Sequence, residues 1–150
     1  RWSCRGMSGV TGPFPSGFLD TSGLTGAPAE RMFNGACYGM SGVTGPLPSG
    51  FLDTSGLTGA PGLHMFTETF YGMTSIVAVD FTVGSGVEFT SANVSSALLR
   101  MFQGAAKWTG NVYWGTNLLT TAIPVPDGST QAFRNCTSKP NFASLNANWK

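Results

Sequence analysis

The chain has 150 residues, the length of one domain rather than two. Charged residues make up 10% of it, against roughly a quarter in an ordinary globular domain, and the formal net charge is +1. With no lysine or arginine cluster, the sequence excludes partners rich in phosphate, such as nucleic acid or an anionic membrane surface.

Gly, Ser, Thr and Pro together supply 62 residues, so turns should dominate. Apolar residues still reach 41%, and 18 side chains are Phe, Tyr or Trp, which is more burial potential than a solvated disordered tail carries. The longest apolar runs are only a few residues, as at 76–79, far short of the roughly 20 that cross a bilayer. The first residue is Arg1, with no initiator Met or apolar leader, so a processed product or a piece of a longer chain is expected.

The chain is organised by repetition. Residues 6–28 read GMSGVTGPFPSGFLDTSGLTGAP and residues 39–61 read GMSGVTGPLPSGFLDTSGLTGAP, identical at 22 of 23 positions with Phe14 against Leu47. Met32-Phe33, Met65-Phe66 and Met101-Phe102 then close successive units, with Ala132-Phe133 as a weaker fourth. The predicted units are 6–38, 39–71, 72–108 and 109–140, flanked by partial units at 1–5 and 141–150, all in one repeat domain. Aligning the third unit on the second pairs Met73 with Met40, Ile76 with Val43, Val94 with Leu57 and Met101 with Met65. Stacking the units predicts core ladders Met7/Met40/Met73, Val10/Val43/Ile76, Leu24/Leu57/Val94 and Phe33/Phe66/Phe102/Phe133.

In chain order, the prolines at 13, 15, 28, 46, 48 and 61 leave no room for a long helix in the first two units. Residues 76–82, IVAVDFT, and 87–90 are β-branched and aromatic, and read as strands. Residues 95–108, SSALLRMFQGAAKW, are the best helical segment, with Ser95 as a cap and Leu98, Leu99 and Phe102 at helical spacing. The predicted fold class is therefore mainly β: a repeat solenoid of four to five coils of 31–36 residues, with short strands and short helical turns.

Four strings carry a family resemblance: FLDTSGLTGAPGLHMF (51–66), MFNGACYGMSGV (32–43), MFQGAAKWTGNVYW (101–114) and FRNCTSKPNFASLNANW (133–149). Their order of elements resembles BspA-like leucine-rich repeats, over nearly the whole chain. The resemblance implies a secreted or cell-surface solenoid engaged in adhesion, matrix contact or assembly, without catalytic chemistry.

The residues themselves offer little chemistry. His64 is the single histidine, and Arg31 holds the matching position in the first unit, so the repeat places no ligand there. Asp20 and Asp53 are the only acids on equivalent positions. They could share a cation built on oxygen ligands, but Asp before Thr-Ser-Gly is better read as a turn in which the carboxylate accepts backbone N–H bonds. No phosphate loop and no spacing for a Ser/His/Asp triad occurs. The chain is therefore read as no enzyme, with no catalytic, metal or cofactor-binding residues.

Cys4 and Cys37 share the 33-residue offset, which brings them within reach of a disulfide, although a pair of buried thiols needs no special geometry and is preferred. Asn93 and Asn135 lie in glycosylation sequons. Trp2, Trp108, Trp114, Trp149 and the three tyrosines could stack on sugars, but core and edge filling is the stronger reading. Threonine pairs Thr21/Thr54 and Thr25/Thr58 suggest an ice-binding face, which the third unit interrupts.

Neither end resembles a polar cap, so further repeats of a longer chain, or head-to-tail stacking on identical copies, should cover the open edges. The expected function is an extracellular or cell-surface structural protein, adhesive or forming a filament with itself. The alternative is a ligand-binding module for a glycan, a host protein or ice.

Overall fold

The computed structural model describes residues 4–48, 50–77, 80–122, 131–139, 145, 149 and 150. The expected mainly β solenoid of four to five coils is not what the chain builds. Regular strand among the described residues is confined to one three-stranded mixed sheet. In it β1 (Phe81–Val83) pairs in parallel with β2 (Val112–Trp114), which pairs antiparallel with β3 (Asn117–Leu118). Two four-residue helices complete the regular structure, α1 (Val94–Ala97) and α2 (Leu119–Ala122). Elsewhere the described backbone is turn, bend and single-pair bridge.

The strand and helix expectations shrink accordingly. Of the segment 76–82, Ile76 makes one bridge to Gly45, Phe81 and Thr82 enter β1, and residues 78 and 79 lie outside the described residues. Val87 makes a single bridge to Gly59 rather than opening a strand. Helix is limited to one turn at 94–97, because from residue 98 onward the backbone joins a different pattern.

That pattern is a run of overlapping β-turns. In 31–40 the Asn34, Ala36, Tyr38 and Met40 N–H groups donate to the carbonyl three residues back. The alternate donors Arg31, Phe33, Gly35, Cys37 and Gly39 point instead to the carbonyls of Leu63, Met65, Thr67, Thr69 and Tyr71, at 2.8–2.9 Å. The same alternation recurs in the next stretch, where Phe66, Glu68, Phe70 and Gly72 donate to Ala97, Leu99, Met101 and Gln103. Phe102 and Gly104 continue it to Ala132 and Arg134. A turn whose third residue has positive φ favours glycine, and Gly35, Gly39, Gly72 and Gly104 occupy that place. Glu68 (φ 57°), Arg100 (φ 53°) and Asn135 (φ 64°) occupy it without that freedom. An α-helix over 95–108 would have to give up these inter-copy bonds, which explains why the helical periodicity does not prevail.

The core follows this hydrogen-bond register, and it corrects the predicted ladders. Phe33 stacks on Phe66 with ring centroids 5.2 Å apart. Phe102, however, stacks on Phe70 at 5.1 Å and 7°, and Phe133 on Phe102 at 5.4 Å and 1°. The third Met-Phe pair thus answers Thr69-Phe70, four residues beyond the Met-Phe pair that the sequence aligned with it. Gly26 bridges Leu57, and Gly59, its counterpart one copy on, bridges Val87, so Val87 and not Val94 takes the position equivalent to Leu57. In this register the third copy is three residues shorter from Ile76 to Val87 than the second is from Val43 to Leu57, and two residues longer from Val87 to Phe102 than from Leu57 to Phe70, where α1 forms. Trp108, Phe81 and Trp149 close the aromatic interior around these rings.

Candidate functional site

The two near-identical segments give an internal comparison in which sequence is constant and surroundings differ. In the second, Met40, Val43 and Leu57 are fully buried. Their counterparts Val10 and Leu24 are half-buried and Met7 is 45% exposed, so Met7 leaves the predicted core ladder. The first segment lies on the second through backbone bonds in both directions. Gly12 and Gly26 N–H groups donate to Gly42 and Gly56 carbonyls at 3.3 and 3.2 Å, while Thr44 and Thr58 N–H groups donate back to Gly12 and Gly26 carbonyls at 2.9 Å. Among the described residues, the equivalent Thr11 and Thr25 N–H groups make no such bond.

Glycine shows why the fit is close. An ideal Cβ on Gly42 would lie 2.6 Å from the Val10 carbonyl oxygen, and one on Gly56 would overlap the Leu24 carbonyl. The third copy repeats this at Gly86, 2.5 Å from the Leu57 carbonyl. At Gly9 and Gly23, which match Gly42 and Gly56, a Cβ would meet nothing within 4 Å. The candidate site is thus the edge of the first segment around Gly9–Thr11 and Gly23–Thr25. It carries the backbone groups and small residues that the second segment uses for contact, here exposed, with Met7 exposed beside them and Val10 and Leu24 packed in part on the core.

The sequence-predicted residues fall as follows. Cys4 and Cys37 are free thiols on adjacent copies, with Cys4 N–H donating to the Ala36 carbonyl at 3.1 Å. Burial, with Cys4 nearby as a lesser cause, pushes the Cys37 thiol far up from its ordinary value. Asn93 is tied down: its Nδ2 donates to the Glu88 carbonyl and its Oδ1 accepts the Thr90 N–H. Asn135 is exposed in the left-handed region. The Asp20 and Asp53 carboxylates each accept the N–H two residues on, from Ser22 at 3.0 Å and Ser55 at 2.8 Å. The Ser22 bond holds Asp20 below the usual carboxylate value. His64 Nδ1 meets Thr67 Oγ1 at 3.2 Å. Trp2 lies outside the described residues. No group of three or more His, Cys, Asp or Glu side chains is placed to hold a metal among the described residues.

Two features escaped the sequence reading. Lys139 is 5% exposed, and its Nζ donates to the Gly110 carbonyl at 2.7 Å and to Asn111 Oδ1 at 2.8 Å, above the Phe133 ring. Burial lowers its pKa, against the raising influence of Asp80 and Cys136. Nothing in a lone lysine near the end of a diverged repeat signals this role. The second is a cleft of about 300 Å³ whose lining includes Pro48, Phe51, Asp53, Asp80 and Phe81. Both of its carboxylates are already engaged, Asp53 by Ser55 and Asp80 Oδ1 by the Asn111 N–H at 2.8 Å. No helix among the described residues is long and apolar enough to cross a membrane. Comparison with protein-family models, curated proteins and solved structures finds no match to this chain.

Proposed function

We propose that the chain is a non-enzymatic structural repeat protein that works by self-association, at a cell surface or outside the cell, as the resemblance to BspA-like repeats implies. One observation carries the reading: the first segment presents outward, in identical residues, the edge by which the second segment is bound. The occupant that fits is a second copy of the chain, docking by edge-to-edge backbone pairing at Gly9–Thr11 and Gly23–Thr25. Each edge offers both N–H donors at the threonines and carbonyl acceptors at the glycines, so two copies can pair isologously through this one surface. Met7, Val10 and Leu24 supply the apolar contact that makes pairing favourable in water.

Sedimentation velocity across a concentration series tests it. The wild-type chain should associate, and Gly9→Ala/Gly23→Ala, which meets nothing in the monomer, should weaken association at least tenfold while leaving thermal stability unchanged or slightly raised. A wild-type chain that stays monomeric to millimolar concentration, or association indifferent to the two substitutions, would overturn the proposal.

A further inference from the structure

We infer that Tyr38 and Tyr71 form an oxidative cross-linking site, a place where consecutive copies can be joined by a carbon–carbon bond between two phenols. Their rings stack with centroids 4.7 Å apart and planes within 3° of parallel. The stack is held by the backbone, because Gly39 N–H donates to the Tyr71 carbonyl at 2.8 Å and Cys37 N–H to the Thr69 carbonyl at 2.9 Å. Both tyrosines are half-buried, unlike the fully buried phenylalanines in the neighbouring column. The Arg5 guanidinium lies over the Tyr38 ring, 4.4 Å from its centroid, from the side of the preceding copy. Tyr71 is therefore the phenol set against Tyr38.

The reaction needs an oxidant of the hydrogen peroxide class acting through a haem peroxidase. Each phenol gives up one electron and its O–H proton, which leaves two phenoxyl radicals. A Cε of one ring then bonds to a Cε of the other. The hydrogens on those two carbons shift to the oxygens and restore both aromatic rings. Two hydrogen atoms leave the protein and one peroxide becomes two waters. Holding the rings in contact makes the coupling effectively unimolecular, so it outruns coupling between separate molecules in dilute solution. Tyr113, in β2 opposite Leu118, serves as the internal control, since no tyrosine stacks on it among the described residues.

The test treats dilute full-length chain with hydrogen peroxide and a haem peroxidase, then reads dityrosine fluorescence, intact mass and the linked peptides after proteolysis. The expected product is a monomer lighter by two hydrogen atoms, with the bond between Tyr38 and Tyr71. Tyr38→Phe and Tyr71→Phe, which keep a stacked ring and leave the circular dichroism unchanged, should each cut the monomeric product at least tenfold. Tyr113→Phe should leave it intact. Monomeric product undiminished in Tyr71→Phe, a bond mapped to Tyr113, or no monomeric dityrosine where free tyrosine couples readily, would each overturn the inference. Self-association through the first segment is not required by this site, and the result does not depend on it.

Discussion

Gly42→Ala and Gly9→Ala are the same substitution in the same local sequence, and the structure assigns them opposite effects. At residue 42 the new methyl group would sit 2.6 Å from the Val10 carbonyl oxygen and 3.2 Å from Thr11 Cγ2, well inside a van der Waals contact of about 3.5 Å. The nearest obstacle is backbone, so it cannot swing away as a side chain would, and the first segment must lift from the second. Overpacking of this kind costs about 1–3 kcal/mol. In a chain of this length each kcal/mol moves the midpoint by about 2–4 °C, so Gly42→Ala should lower it by roughly 2–12 °C. At residue 9 nothing lies within 4 Å and φ is outside the left-handed region. The loss of unfolded-state freedom then stabilises by about 0.4–1 kcal/mol, a rise of a degree or more. Thermal unfolding followed by circular dichroism at low concentration reads both. Equal effects at the two positions, or a milder effect at 42, would refute the assignment of covered and open edges.

Other outcomes follow from the same contacts. Glu68→Gly should stabilise by about 1 kcal/mol in urea titration, because it removes a non-glycine residue from φ 57° and gives up only a partly exposed 3.8 Å contact with Arg100. Phe102→Ala removes a fully buried ring packed against Phe70, Phe133 and Trp108, and should cost about 3–5 kcal/mol by the same titration. Burial pushes the Cys37 thiol well up and Cys136 to about 12, both from 9.0. A raised folded pKa means stability that is complete below pH 9 and lost as pH climbs toward 12, about 1.4 kcal/mol per pH unit for each thiol. The midpoint should therefore fall between pH 9 and 10.5, and less steeply in Cys37→Ala/Cys136→Ala, although the lowered Lys139 pKa acts in the opposite sense. At pH 8 an alkylating reagent should modify half-buried Cys4 well before the other two.

The repetition was plain in the sequence, because 22 identities in 23 positions at a fixed offset need no structural key. The Asp20 and Asp53 turns were equally legible, since Asp-Thr-Ser encodes its own local hydrogen bond. Apolar pattern misled in the third copy. Met101-Phe102 looks like Met65-Phe66, yet the ring stacks on Phe70, because backbone bonding between copies fixes position and tolerates either residue pair. The helix expected over 95–108 failed for a related reason: propensity is a weak prior, and a second set of backbone partners one copy away outweighs it. The mainly β expectation failed because bonds between copies do not require extended strands, and here turns carry most of them. Open edges were expected from the lack of polar caps, but their place at Gly9–Thr11 and Gly23–Thr25 could not be read, since Met7 and Met40 sit in the same sequence and differ only in what covers them.

Amide hydrogen exchange at Thr11, Thr25, Thr44 and Thr58 tests the account most directly. Val10-Thr11 matches Val43-Thr44, and Leu24-Thr25 matches Leu57-Thr58, so the intrinsic exchange rates within each pair are equal. In dilute solution the Thr44 and Thr58 amides, bonded to Gly12 and Gly26, should exchange at least tenfold more slowly than Thr11 and Thr25. Raising the protein concentration should slow Thr11 and Thr25 alone. Equal rates within each pair in dilute solution would contradict the stacking of the first segment on the second, and fast exchange at Thr11 and Thr25 at every concentration would contradict pairing through that edge.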